Sequence, residues 1–181
     1  MKSNIYIQDN FFEDNFFKKL QEEVVRLEFK SRYKYISETQ KEQSPLQTKY
    51  QRTYHHVQLP LDSPVVEQTI YNIKEFFNYS ISNIESNFLL SFPNTPPFPH
   101  QDALCTHNCL IYLVGDSLTN NGTGFFEKQG EDLNLHTHIG FKQNRAIFFD
   151  SKLWHSHLQF AGNATPRYVM ANFIDVGLDE K

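Results

Sequence analysis

Pro99-His100-Gln101-Asp102 and, further along, Phe148-Phe149-Asp150-Ser151-Lys152-Leu153-Trp154-His155 decide how this chain is read. Pro99 restricts Phe98 to extended geometry, so the first segment reads as a strand or strand edge. In extended backbone, side chains two apart point the same way. His100 and Asp102 therefore share one side, and Gln101 faces the other. Residues 145–149 read as an apolar strand, and Asp150-Ser151 turns the chain toward His155. Two imidazoles and one carboxylate, the carboxylate two residues from the first imidazole, are the ligand set of a 2-His-1-carboxylate facial triad. Such a triad holds a non-haem Fe(II) and leaves coordination positions open.

The surroundings suit a sheet that could carry these ligands. From Ile84 onward the chain reads as short strands over residues 84–92, 108–114, 124–128, 135–141, 145–149, 155–160 and 167–175. Turn signals such as Asn120-Asn121-Gly122, Gln129-Gly130, Asn144 and Gly162-Asn163 separate them. Upstream, Ile5-Tyr6-Ile7 reads as a strand that Asp9-Asn10 turns. Phe16, Leu20, Val24 and Leu27 then recur at helical spacing over about residues 15–29. Ser63-Pro64 reads as a helix start, Ser as N-cap and Pro at the first position, with Val66, Ile70, Ile73 and Phe77 on one face to near Tyr79. Residues 30–58 are polar and tyrosine-rich; 41–49 read as exposed loop, and 51–58, with Tyr54 and His56 alternating, as a strand. A connection of that length is a candidate cover over a site. Helices followed by many short strands imply an α+β domain whose strands close into a sandwich or jelly roll. With no repeat, low-complexity segment or boundary, 1–181 reads as a single domain: a helical part over about 1–80 and a strand core over about 84–175.

Bulk composition agrees. The chain has 181 residues, 39% hydrophobic and 21% charged, enough for one full core and unlike a disordered chain. Seventeen Phe and nine Tyr favour a stiff sheet-based interior. A formal charge of -4 argues against non-specific binding to nucleic acid or an anionic membrane surface. The opening Met1-Lys2-Ser3-Asn4-Ile5-Tyr6 has no apolar run of signal-peptide length, and no stretch approaches the roughly 20 apolar residues of a membrane span. A cytoplasmic location is expected, with Cys105 and Cys109 as reduced thiols.

Arg167 adds the next constraint. It begins the apolar run Tyr168-Val169-Met170-Ala171-Asn172-Phe173-Ile174, which should be buried. A buried guanidinium without an anionic partner is costly. An oxo-acid chelating the metal would need a cation at its far carboxylate, and the planar fork of Arg suits that role.

These residues together resemble the 2-oxoglutarate and Fe(II)-dependent dioxygenases, especially the prolyl-hydroxylase-like branch. That family's pattern is H-x-D, a distal His, and Arg or Lys about a dozen residues later on the final core strand; here it reads His100-Gln101-Asp102, His155 and Arg167. Leu110-Ile111-Tyr112-Leu113 resembles the family's second core strand. Asn121-Gly122-Thr123-Gly124-Phe125-Phe126 resembles its glycine turn and strand, and Asn144 to Ser151 the strand leading to the distal His. The likeness spans nearly the whole chain, most strongly about residues 86–175.

The resemblance implies a double-stranded β-helix (jelly roll) with two N-terminal helices packed on one sheet. It implies Fe(II) on His100, Asp102 and His155, and 2-oxoglutarate held by Arg167 with a hydrogen bond from Tyr112. The implied reaction is hydroxylation of a C–H bond in a protein side chain or small molecule, releasing succinate and carbon dioxide. Phe92 stands where many members carry Tyr, and Val169 where some carry Ser or Thr. Asp102 is kept, which disfavours the halogenating variant. Three alternatives stay open: His157 as the distal ligand in place of His155; a cupin-type metalloenzyme built on His136-Thr137-His138 that does not use 2-oxoglutarate; and a non-catalytic jelly-roll binding module.

Overall fold

The computed structural model describes residues 5–34, 52–92, 97–118, 121–159 and 165–177. Its elements are β1 (Ile5–Asp9), α1 (Asp14–Val24), β2 (Lys30–Lys34), β3 (Arg52–Gln58), α2 (Pro64–Phe77), β4 (Ile81–Ser91), β5 (His107–Val114), β6 (Asn121–Gln129), β7 (Asp132–Gly140), β8 (Arg145–Asp150), β9 (Trp154–Gln159) and β10 (Arg167–Val176). Two antiparallel sheets result. The larger has seven strands in the order β1-β8-β5-β10-β4-β3-β2, and the smaller three in the order β7-β6-β9. From β4 to β10 the chain passes repeatedly between them. An isolated bridge between His100 and His155 lays the segment after β4 alongside β9. This is the expected α+β jelly roll with two helices.

Period-two alternation sorts the side chains of the larger sheet. Cys109, Ile111 and Leu113 of β5, Ala146 and Phe148 of β8, and Met170 and Ile174 of β10 join Leu20, Val24, Val66, Ile73 and Phe77 of the helices in one buried cluster. The intervening residues Tyr112, Ile147, Phe149 and Val169 form a second cluster with Phe125 and Ile139 of the smaller sheet and Phe141 just after β7. The helices therefore cover one face of the larger sheet, and the smaller sheet covers the other.

The elements expected from the sequence are present, with three corrections. First, α1 stops at Val24 rather than Phe29. Val25 and Leu27 are exposed, and the chain leaves the helix so that Phe29 can meet the ring of Tyr168, 5.6 Å away. The apolar spacing continues past the point where packing ends. The start of α1 is capped by Glu13, whose carboxylate accepts from the backbone N–H of Asn15 and Phe16. Second, Ser63 is the N-cap and Pro64 the first residue of α2 as expected, but the Ser63 hydroxyl makes no capping bond; its carbonyl accepts from Val66 and Glu67. Third, residues 30–34 are not loop but β2, paired with β3, which pairs in turn with β4. The expected loop over 41–49 lies outside the described residues. None of the described helices is long and apolar enough to cross a membrane.

Asn144 fastens the N-terminal segment to the turn before β8. It adopts the left-handed conformation at φ 61°. Its side-chain oxygen accepts from the Phe12 N–H at 2.8 Å, and its amide donates to the Phe12 carbonyl at 2.9 Å. Asn144→Ala leaves both Phe12 groups buried without partners and places Ala in a disfavoured conformation. The expected loss is about 2–4 kcal/mol in urea denaturation; Asn144→Gly, which tolerates that conformation, loses less.

Beside it, Asp9 faces Arg145 across β1 and β8, with Arg145 Nε at 2.6 Å and Lys142 Nζ at 2.7 Å. The Arg145 hydrogen bond, with Lys142 behind it, outweighs burial and lowers the Asp9 carboxyl from 3.8 to about 2. A folded value below the unfolded one means stabilisation that is complete above the unfolded value and lost as pH falls through about 2. The difference in melting temperature between wild type and Asp9→Asn should therefore be largest above pH 4, shrink as the pH falls below that, and vanish only below about pH 2.

Candidate metal centre

His100 and His155 come together through backbone. The His100 N–H donates to the His155 carbonyl at 3.0 Å, and the His155 N–H returns the bond at 2.9 Å. Residues paired in this way project to one side of the sheet, and the two imidazole centroids lie 4.4 Å apart. Asp102 is brought in by its own N–H, which donates to the Ser151 carbonyl at 3.0 Å. Its side chain then sits between the rings: Oδ1 is 3.8 Å from His100 Nε2, and Oδ2 is 3.3 Å from His155 Nε2. One ligand atom from each residue falls within 4.8 Å of the others.

The remaining ring nitrogens set the tautomers. His100 Nδ1 lies 2.7 Å from the Phe98 carbonyl, and His155 Nδ1 lies 2.9 Å from the Leu153 carbonyl. A carbonyl can only accept, so each Nδ1 donates to it, which fixes the ring and turns each Nε2 toward the centre. Burial opposes ionisation of Asp102. The hydrogen bond with His155, the charges of both imidazoles and the Asn108 amide outweigh it and hold the carboxyl well below the usual carboxylate range. The donor set is thus two imidazole nitrogens and one carboxylate, which fits a divalent first-row metal such as Fe(II).

Arg167 occupies the same inter-sheet space. It is 3% exposed, with its guanidinium 5.1 Å over the Tyr112 ring and 5.7 Å over that of Phe141. Nη1 donates to the Gly122 carbonyl at 2.6 Å, and Nη2 lies 3.5 Å from Thr123 Oγ1. Nε is buried without a partner, and among the described residues no carboxylate forms an ion pair with it. Burial pulls its pKa below the ordinary arginine value, with partial relief from Tyr112. A buried cation with an unused donor fits an anionic ligand such as the far carboxylate of 2-oxoglutarate. Tyr112 is fully buried beneath it, and its hydroxyl donates to Thr123 Oγ1 at 2.7 Å, with the Ile139 carbonyl 3.3 Å away. Gly122 is required where it stands, because a Cβ there would run into the Ile139 carbonyl.

The other histidines separate from this group. His157 lies next along β9, opposite Thr123, and is not part of the three-ligand cluster. His136 is an exposed residue 3.5 Å from Glu127, a partner brought near by the β6–β7 pairing. His138 has a buried Nε2 without a partner, and among the described residues neither it nor His136 joins a third ligand. His107 stacks on Phe148, on the helix side. Phe92 is half-exposed against His55, and Val169 is buried in the inter-sheet cluster.

The sequence reading missed Asn108, which donates from Nδ2 to Asp102 Oδ2 at 2.9 Å. The available signal was a polar residue at an inward position of an apolar strand.

No family model matches this chain. No curated protein matches it either. Among solved structures, its fold is similar to that of a prolyl-4-hydroxylase from Pseudomonas putida, with a TM-score of 0.60 and 13% identity over 96% of this chain and 93% of that one. It is similar to a prolyl hydroxylase from Trichoplax adhaerens in complex with a hypoxia-inducible-factor peptide fragment, with a TM-score of 0.62 and 13% identity over 96% and 84%. A third is HygX from Streptomyces hygroscopicus with nickel, 2-oxoglutarate and hygromycin B bound, with a TM-score of 0.61 and 11% identity over 96% and 83%. At these identities the likeness is one of fold.

Proposed function

We propose that residues 1–181 act as one Fe(II)- and 2-oxoglutarate-dependent oxygenase domain that hydroxylates a C–H bond of a protein side chain or small molecule. The observation that carries this reading is a pairing within one inter-sheet space. A two-histidine, one-carboxylate cluster stands there together with a buried guanidinium that has an unused donor. Solved structures with this fold include one bound to a peptide fragment and one bound to nickel, 2-oxoglutarate and hygromycin B.

In this reading His100, Asp102 and His155 would hold the metal as a triad that leaves coordination positions for other ligands. Fe(II) so held, with 2-oxoglutarate and dioxygen, supplies the oxidising power for C–H hydroxylation, with succinate and carbon dioxide as by-products. Arg167 anchors the far carboxylate of the co-substrate. Tyr112 supports the guanidinium from below with its ring. Thr123 accepts from the Tyr112 hydroxyl, which on this reading also lies near enough to Arg167 to add a hydrogen bond to the co-substrate. Phe125 and Phe149, whose rings lie 6.4 and 4.9 Å from that of His155, keep the inner side of the site apolar and limit water.

Anaerobic addition of Fe(II) and then 2-oxoglutarate to the metal-free protein should produce the visible charge-transfer band of the chelate. Asp102→Ala and His155→Ala should each reduce succinate formation to background; full turnover in both would sink the reading. Arg167→Ala removes one side of a buried charge pair, an effect of about 2–5 kcal/mol, so half-saturation by 2-oxoglutarate should shift at least about 30-fold while Fe(II) still binds.

A further inference from the structure

We propose that Asn108 is a positioning residue of the metal centre: its amide, bonded to Oδ2 of Asp102, holds the carboxylate turned toward the two imidazoles, and the Cys105 thiol fixes which way the amide points. The inference rests on the metal-centre reading above and adds two residues that no ligand pattern includes.

The argument begins with how little else orients Asp102. It lies in a stretch without regular structure between the His100 bridge and β5. Its backbone is held by the Ser151 carbonyl, but that bond leaves the carboxylate free to turn. Among the described residues outside the ligand set, Asn108 is the one side chain that donates to it, at 2.9 Å. Asn108 is itself rigid. It is 2% exposed and sits on β5, whose neighbours are β8 on one side and β10 on the other, opposite Phe149 and Phe173.

An amide has a donor end and an acceptor end, and a flipped Asn108 would turn its oxygen against the carboxylate. Cys105 prevents this. Its buried thiol donates to Asn108 Oδ1 at 3.5 Å, which commits Nδ2 to Asp102. Burial, followed by the nearby Asp102 charge, raises that thiol to about 11, so it carries its proton at neutral pH. Thiol, amide and carboxylate form a directed chain from Cys105, just before β5, through Asn108 to Asp102. With Oδ2 held by Asn108, the carboxylate keeps one orientation between His100 and His155, so the three ligands would meet an ion without first having to order Asp102.

Removing an outer partner of a metal ligand typically weakens metal binding 10- to 100-fold. The test is titration of the metal-free protein with Co(II), read by its visible d–d bands. Asn108→Leu, similar in size, and Asn108→Asp, similar in shape but without the donor, should each raise the Co(II) dissociation constant about 10-fold or more. Both should also change the d–d bands, because Asp102 is no longer held in one orientation. Cys105→Ser keeps a hydroxyl donor and should bind as wild type, whereas Cys105→Ala should weaken binding.

Wild-type affinity and spectrum in both Asn108 variants would overturn the proposal while leaving the metal centre standing. Should neither Asn108 variant fold, the Cys105 pair decides: equal affinity for Ser and Ala overturns it, and a difference supports it. Wild-type protein that binds no Co(II) would remove the metal-centre reading itself, and this proposal with it.

Discussion

The two hydrogen bonds exchanged between His100 and His155 are the constraint on which the site depends. They join a short irregular stretch to β9, far along the chain, and fix both the distance and the side on which the imidazoles meet. In extended backbone a slip of one residue reverses every side chain. His155 would then face away from Asp102, and Ser156 would replace it. The β6–β9 pairing, which sets Phe125 opposite His155 and Thr123 opposite His157, stands against such a slip. The apolar Phe125 contributes to the cluster between the sheets, so misregister would also expose core surface.

The larger sheet makes the second contribution. Its helix-facing residues Cys109, Ile111 and Leu113 of β5 and Ala146 and Phe148 of β8 tie the sheet to α1 and α2. That face supplies rigidity. The opposite face is then free to carry Asn108, Tyr112 and Arg167 among apolar neighbours. Imidazoles enter from the smaller sheet and its bridged segment, while the cation and the amide enter from the larger one. Chemistry is assembled where two sheets meet because neither presents all the groups alone.

Much of this was legible because it is local. The two-residue spacing of His100 and Asp102, the apolar strand before His155 and an arginine opening a buried strand all follow from extended-chain geometry. Features set by distant partners were not legible. β2, Lys-Ser-Arg-Tyr-Lys, has no apolar alternation and is a strand because β3 pairs with it. α1 ends where packing ends, although Leu27 continues its spacing. Asn108 looks like an ordinary strand residue until the fold brings Asp102 against it, and His136 finds Glu127 only through the β6–β7 register.

Arg167 has a consequence of another kind. Its burial, without an anion among the described residues, is a standing cost to the folded chain, since a desolvated guanidinium is stabilised only in part by the Gly122 carbonyl and the Tyr112 ring. An apolar side chain of similar volume would make a sturdier protein. Selection for thermal endurance alone would therefore be expected to erode this position first. On the proposed reading, the residue that weakens the empty protein is the one that gives it an affinity for its co-substrate, a trade of stability against activity located in one side chain.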